Sequence, residues 1–417
     1  MKSYNHIKQS VIHNLRSPNE LPIIVAALLL FITLGYPPIL SYDEFHYIPA
    51  AKEMITLGQM RNYEHPPLAK FIMGFFWLLL HKSSGLLSEV TAMRVPAALA
   101  GIGTLLAFRS CLLSVGFPQW LSGLFIWSVI LNLAWYVQAK TAMLDIFALF
   151  FSLCAVAVAL RQRVTLSLIL FGLAMATKWS VLPILIVILS IHRRTSLKQL
   201  TQGAVAMMAA YYATFFPLVF LTNGAVSFGS IFIKHQLHML NGLQSTSLQP
   251  HSYQSNWWQW LTLHRPIWYI YSKVEGVAFP AHYTVFQTGN PFIFIPGLIS
   301  IIYLTLLNLR RPKFKIKRDH GLVLGMFYFS MILWVLAPRK LMFFYYVVPA
   351  SLWFGPAIGL AMIHSLGSHR TRKPLTALIA LAALFFVAMA PLAAGIAMPD
   401  TIFRSFYQFW MYRINWI

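Results

Sequence analysis

Long apolar stretches, many of them closed by clusters of lysine and arginine, divide this chain. A helix needs about 20 mainly apolar residues to cross the hydrocarbon of a bilayer. On that scale the pattern predicts membrane helices near 21 to 40, 90 to 113, 117 to 137, 144 to 160, 200 to 221, 291 to 309, 320 to 337, 341 to 364 and 374 to 397. A further apolar stretch, 165 to 191, carries Lys178 at its centre. Either the chain reverses at Lys178 between two arms of about 13 residues, roughly 20 Å each at helical rise, or one long helix buries the ammonium in mid-membrane.

Composition narrows the class. Hydrophobic residues fill 58% of the 417 positions and charged residues 10%, which excludes an ordinary soluble domain and implies a polytopic, all-α membrane protein. A formal charge of +22 would suggest a nucleic-acid partner in a soluble protein, but here the cations must first be assigned to a membrane side, and no nucleic acid is expected. Lys2, Lys8 and Arg16 precede the first span, and Arg161, Arg163, Arg193, Arg194 and Lys198 flank later ones. Arg310, Arg311, Lys313, Lys315, Lys317 and Arg318 form the densest run, and Arg370, Arg372 and Lys373 the last. If all of these are cytoplasmic, Asp43, Asp145 and Glu275 lie outside and the stretch 165 to 191 must reverse.

Cys111 and Cys154 fall inside apolar spans and offer neither a disulfide framework nor a metal spacing. The first apolar stretch continues into a full span without a small-residue cleavage pattern, so no cleavable signal is expected. The expected organisation is an N-terminal transmembrane module over 1–222 with its first extracytoplasmic loop at 41–89, an extracytoplasmic loop over 223–290, and a four-helix transmembrane module over 291–417.

Only ten residues are acidic, yet Asp43, Glu44, Glu53 and Glu64 fall within 22 positions just after the first span. Charge this close to hydrocarbon tends to face a cavity or a polar partner; the plainer alternative is a wet loop. The sequence after the Asp43–Glu44 pair through Gly58 has apolar residues at helical spacing, and a second helix can start at His65, with the prolines of HPPLAK in its first turn. Two such amphipathic surface helices would hold Asp43, Glu44, Glu64 and His65 around one shallow cavity. Two histidines and three carboxylates could bind a metal, but the spacing matches no ligand pattern, and no metal or cofactor is expected.

Six collinear motifs carry a family resemblance: the acidic pair followed about twenty residues later by HPPLAK, MRVPAALAG at 93 to 101, AMLDIFALFF at 142 to 151, GLAMATKWSVL at 172 to 182, HSYQSNWWQWLTLHRPIWYIY at 251 to 271, and PRKLMFFYYVVPA at 338 to 350. Together they resemble the protein O-mannosyltransferases, glycosyltransferase family 39, within the C-type fold of membrane enzymes that use a lipid-phosphate sugar donor. The resemblance implies about eleven spans and makes HPPLAKFIMGFFWLLL the second surface helix rather than a crossing. The chain lacks the large soluble domain of eukaryotic members and looks like a compact prokaryotic form, which places it in a bacterial inner membrane with its site facing outward.

Glycosyl transfer from a polyprenyl phosphate needs a base for the acceptor hydroxyl and cations for the departing phosphate. The family position makes Asp43 the base. Glu44 would orient the acceptor, spread the pair's charge or share a proton with Asp43. Arg94, Lys178 and Arg339 are candidate phosphate clamps; each could instead be an interfacial side chain snorkelling to water. Asp145 could polarise the site, or simply be a carboxylate stabilised at a helix N-terminus. Glu64, His65 and Lys70 are supporting candidates. Trp257, Trp258, Trp260 and Trp268, with His251, Arg265 and Tyr269, could stack on a sugar or prenyl unit or form an interface belt. The implied partners are a polyprenyl-phosphate-linked sugar, a protein or peptide acceptor and the bilayer. An acceptor of lipid or envelope glycan is the alternative within the same chemistry, and a transporter the alternative outside it; a transporter would more naturally place its ionisable residues mid-membrane on broken helices.

Overall fold

The apolar runs become helices whose ends are set by particular side chains. The structure, a computed structural model, describes residues 20–58, 61–221, 227–244, 251–310, 317–336, 341–408 and 411. After α1 (Leu21–Thr33), the first surface helix α2 (Glu44–Leu57) stops at Gly58, whose φ of 61° is in the left-handed region that glycine tolerates. The second surface helix α3 (Leu68–Trp77) lies against α2, where Gly74 removes the side chain that would strike the Ala51 carbonyl. Ser88 caps α4 (Glu89–Ser114) through the Thr91 amide.

Two expected spans are bent. The stretch read as 117 to 137 is α5 (Gln119–Ile130) and α6 (Leu133–Lys140), meeting at 70°, because Asn132 caps α6 through the Ala134 amide and starts a new helix. The stretch 341 to 364 contains a short turn over Phe344–Ser351 and α13 (Phe354–Leu366), meeting at 45°. The remaining helices of the bundle are α7 (Leu144–Leu160), α8 (Val164–Met175), α9 (Ile184–Ile191), α10 (Leu197–Ala213), α11 (Pro291–Leu309), α12 (Arg318–Leu336) and α14 (Ser368–Ala393).

The ambiguous stretch is a hairpin. Ser167 Oγ, near the start of α8, lies 2.9 Å from His192 Nε2, just beyond α9. A single helix would separate these residues by about 37 Å. The reversal falls at Lys178, whose extended backbone sits between α8 and a single 3-10 turn. α8 packs on α10 closely enough that a Cβ at Gly172 would meet the Met207 carbonyl oxygen, the small-residue contact that lets membrane helices approach.

The protein is a multi-pass membrane protein. Five of the described helices are long and apolar enough to cross a bilayer, and seven spans result if each bent pair counts as one. The expected eleven is reached only if α1, α7, α8 and α9 also cross. The all-α expectation needs one correction. Strands β1 (Ile267–Lys273), β2 (Ala281–Gln287) and β3 (Ala397–Pro399) form a small antiparallel sheet in that order. Aromatic and β-branched residues favour the extended chain here, and Gly276, at φ 75°, lies in the connection between β1 and β2. The sheet is joined to the acidic loop by the Tyr42 amide, which donates to the Tyr269 carbonyl at 3.0 Å.

Candidate active site

The two adjacent carboxylates have opposite fates. Glu44 is fully buried and accepts from the Ser41 amide and hydroxyl at 2.9 Å, from the Ala142 amide at 2.8 Å, and from Arg94 at 2.8 and 2.7 Å. Burial alone would raise its carboxyl, but the Arg94 guanidinium and these backbone bonds hold it below the usual carboxylate range. It therefore ties the first loop to α4 and to the chain entering α7, and it is too enclosed to orient an acceptor.

Arg94 is likewise fully buried and completely used. Its remaining hydrogen bonds run to the carbonyls of Leu34, Pro37 and Ile39, so five bonds occupy the five N–H groups of a guanidinium. The expectation that Arg94 clamps a phosphate is corrected: no donor is left to reach one.

Asp43 is only half-buried, at the N-terminus of α2. It accepts hydrogen bonds of 3.3 Å from the hydroxyls of Tyr47 and Tyr345. Burial pushes its carboxyl above the ordinary value; the Lys178 ammonium pulls against this, and Asp145 adds to it. Those two residues form a bidentate pair, with Lys178 Nζ 2.8 and 2.7 Å from the Asp145 oxygens. Asp145 is in the first turn of α7 and Lys178 at the hairpin reversal, so the fold brings two sequence candidates together beside a third. Lys178 also sits 5.4 and 5.2 Å from the ring centres of Tyr345 and Tyr346, and a cleft beside it is lined by Asp145, Ser180, Trp334 and Tyr346.

A tyrosine cage surrounds this cluster; of its rings, sequence reasoning singled out Tyr269 but missed Tyr42, Tyr345 and Tyr346. Tyr42 lies 5.0 Å from Tyr269 and 6.1 Å from Tyr345, and Tyr269 OH accepts from Gln138 Nε2 at 2.7 Å. Trp334 stacks flat on Tyr346 at 3.8 Å. The FFYYVV run reads as a membrane stretch; the signal in it is a pair of hydroxyl-bearing rings within an apolar segment, which need polar partners when buried.

The supporting candidates scatter. His65 places its ring 6.0 Å from Tyr47 and so borders the site. Glu64 is exposed and accepts from Asn62, so it does not share a cavity with Glu44. Lys70 is buried and donates to the carbonyls of Arg61, Asn62 and His65, which shapes the loop rather than contacting an acceptor; burial lowers its ammonium to about 7, with Glu64 opposing. His251 is exposed, with its ring 6.0 Å from Tyr42 and 5.2 Å from Phe343, and Arg265 is tied to the Ser252 carbonyl at 2.6 Å. Trp257 is half-buried, whereas Trp260 and Trp268 belong to the core and cannot stack on a ligand without leaving it. Arg339 lies outside the described residues. Among the described residues, no three His, Cys, Asp or Glu side chains come together as a metal cluster.

Comparison with known proteins fits this arrangement. Residues 228–411 match the family model described as the C-terminal four TMM region of protein-O-mannosyltransferase. The protein O-mannosyltransferase Pmt1-Pmt2 complex of S. cerevisiae, solved bound to the sugar donor, superposes with a TM-score of 0.73 at 14% identity, covering 91% of this chain and 90% of that one. The chain shares the protein O-mannosyltransferase fold. ArnT from Cupriavidus metallidurans in the apo state gives a TM-score of 0.57 at 16% identity, covering 92% of this chain and 67% of that one. The apo oligosaccharyltransferase of Archaeoglobus fulgidus gives 0.53 at 12%, covering 96% of this chain and 60% of that one. No curated protein matches the chain in sequence. The fold is thus that of the C-type membrane glycosyltransferases, with a mannosyltransferase-like C-terminal region.

Proposed function

We propose that the protein is an inverting glycosyltransferase that moves a mannose-like sugar from a polyprenyl phosphate to Ser or Thr hydroxyls of proteins outside the cytoplasm. The observation that carries this reading is the half-buried Asp43 carboxylate, held among the described residues by two tyrosine hydroxyls and close enough to the Lys178–Asp145 pair to feel both charges. In this reading the acceptor oxygen attacks the anomeric carbon, the bond from that carbon to the phosphate oxygen breaks, and the hydroxyl proton passes to Asp43. Polyprenyl phosphate leaves as an anion, so no general acid is required. A raised pKa makes Asp43 a stronger proton acceptor than an ordinary aspartate. Lys178, oriented by Asp145, meets the phosphate charge, and Arg339 is assigned as a second phosphate contact by its place in the sequence. Glu44 and Arg94 position the base without touching the substrate.

The test is incubation of purified protein with a panel of polyprenyl-phosphate sugars, with and without Ser/Thr peptides. The reading requires mannosyl lipid to be consumed only with peptide. Consumption with a lipid or glycan acceptor alone would move the assignment to the alternative acceptor class.

A further inference from the structure

A second cavity lies along the helix bundle beyond the cleft beside Lys178. It measures about 430 Å³ and opens between α9, α11 and α12. Along α12 its lining runs from Gly321, 13 positions and roughly 20 Å from Trp334, up to Phe329, the neighbour of Ser330 in the cleft beside Lys178. Most of its wall is apolar. The glycines at 321 and 325 stand one turn apart, and a Cβ at Gly325 would come no closer than 3.6 Å to Val187, so tight helix contact does not account for Gly325. A Cβ there would make ordinary contact with Val187, and a longer side chain would extend into the cavity that Gly325 lines.

Polar groups concentrate at the mouth. Asn308, 5% exposed, lines the cavity; its Nδ2 donates to the Leu304 carbonyl and lies 3.0 Å from His320 Nδ1. Its buried Oδ1 receives no hydrogen bond from the described residues. A buried amide oxygen without a donor is costly and points to a missing partner. Two residues after the lining Asn308 and three to four before the lining Gly321, Arg310, Lys317 and Arg318 are exposed, and Asp319, the acid among them, is turned onto the His320 amide. Arg318 also donates to the Leu160 carbonyl, which fixes it beside α7.

We propose that this crevice is a binding site for an anionic phospholipid whose headgroup carries hydroxyl groups, of the phosphatidylglycerol type. One acyl chain would lie in the apolar trough, the phosphate would face the basic rim, and a headgroup hydroxyl would donate to Asn308 Oδ1. A purely apolar occupant would leave the amide unpaired, and a zwitterionic lipid would gain little from a rim of cations. The trough reaches along α12 toward the cleft beside Lys178, but its polar mouth at Asn308 lies at its other end, and the inference does not depend on the reaction assigned to that cleft.

Native mass spectrometry of the detergent-solubilised protein, titrated with phosphatidylglycerol or phosphatidylcholine, tests it. Phosphatidylglycerol should be retained at least tenfold more tightly than phosphatidylcholine and should raise the melting temperature. Gly325→Leu, which fills the trough, should abolish that preference. Should Gly325→Leu fail to fold, Asn308→Leu and Lys317→Glu decide the question, each weakening retention by roughly fivefold or more. Equal retention of the two lipids overturns the proposal, as does undiminished phosphatidylglycerol binding by folded Asn308→Leu and Lys317→Glu. Displacement of phosphatidylglycerol by polyprenyl phosphate at equal concentration would make the site a donor-chain channel and would equally overturn it.

Discussion

Arg94 and Glu44 meet as a fully enclosed bidentate pair, Nε to Oε1 at 2.8 Å and Nη2 to Oε2 at 2.7 Å, although 50 positions separate them in sequence. The pair joins α4 to the loop that presents Asp43, so Glu44 is structural, while Asp43 beside it stays half-buried. This division of labour between adjacent carboxylates follows from their partners, not from their residue type.

Removing one member of that pair leaves a buried charge uncompensated, which costs about 3–5 kcal/mol. Arg94→Met should therefore lower thermal stability sharply. Arg94→Lys should recover only part, since three donors cannot fill five bonds. In whatever fraction stays folded, the concentration dependence on lipid donor should be unchanged. A raised donor KM in folded Arg94→Lys protein would restore Arg94 as a phosphate ligand.

Asp43→Asn keeps the shape but cannot take the hydroxyl proton. Transfer should fall by about 10² to 10⁴ while donor binding and melting temperature stay near wild type. Wild-type turnover by the folded variant would remove Asp43 from the mechanism. Glu44→Gln should instead lose stability, because the carboxylate's charge compensates Arg94.

The pH profile carries a sign. In the proposed mechanism protonation of Asp43 removes the base, so kcat/KM should fall on acidification through its pKa; because burial raises that pKa, the fall should begin above the ordinary aspartate range. Lys178 opposes the rise. Lys178→Met should thus move the acid limb to still higher pH and weaken donor binding. A limb that stays put in a folded Lys178→Met protein would show that the ammonium does not act on Asp43.

Asp145 and Lys178 should behave as one unit. Asp145→Asn leaves Lys178 without its fixed carboxylate, so its donor-binding defect should overlap that of Lys178→Met, with a coupling of about 0.5–3 kcal/mol in the double variant. Strictly additive losses in donor affinity would mean that the pair does not position the phosphate contact.

Much of this architecture is readable in the chain. The run at 291 to 309 coincides with α11 because a nineteen-residue, mostly apolar stretch between Asn290 and Arg310 leaves one solution in a bilayer. Lys178 marked the reversal because a charge at the centre of an apolar stretch must find water or a partner. The bends at Asn132 and before Phe354 escaped, since both sides of each are apolar and hydropathy carries no direction. The Ile267–Lys273 strand was hidden by its own tryptophan and tyrosines, which look the same at a membrane interface as in a sheet. The fate of Arg94 was unreadable for another reason: charge locates a guanidinium near the site, whereas only the fold reveals that the carbonyls of Leu34, Pro37 and Ile39 already occupy it.

Sidedness is the most exposed prediction, because it places every group of the mechanism in one leaflet. Ser180, half-buried beside Asp145, and Lys317, exposed at the far end of α12, are suitable reporters. In a background with Cys111 and Cys154 replaced by alanine, Ser180→Cys should react with a membrane-impermeant thiol reagent on intact cells. Lys317→Cys should react only after permeabilisation. Because Ser167 and His192 meet at the base of the hairpin, Lys178 lies at the end of α8 opposite Arg163, so the two cysteines must report opposite sides if α8, α9 and α12 all cross. Labelling of Lys317→Cys from outside, with Ser180→Cys protected, would turn the Asp43 cleft toward the cytoplasm. The donor would then have to be presented in the inner leaflet, and transfer to exported proteins could not proceed as proposed.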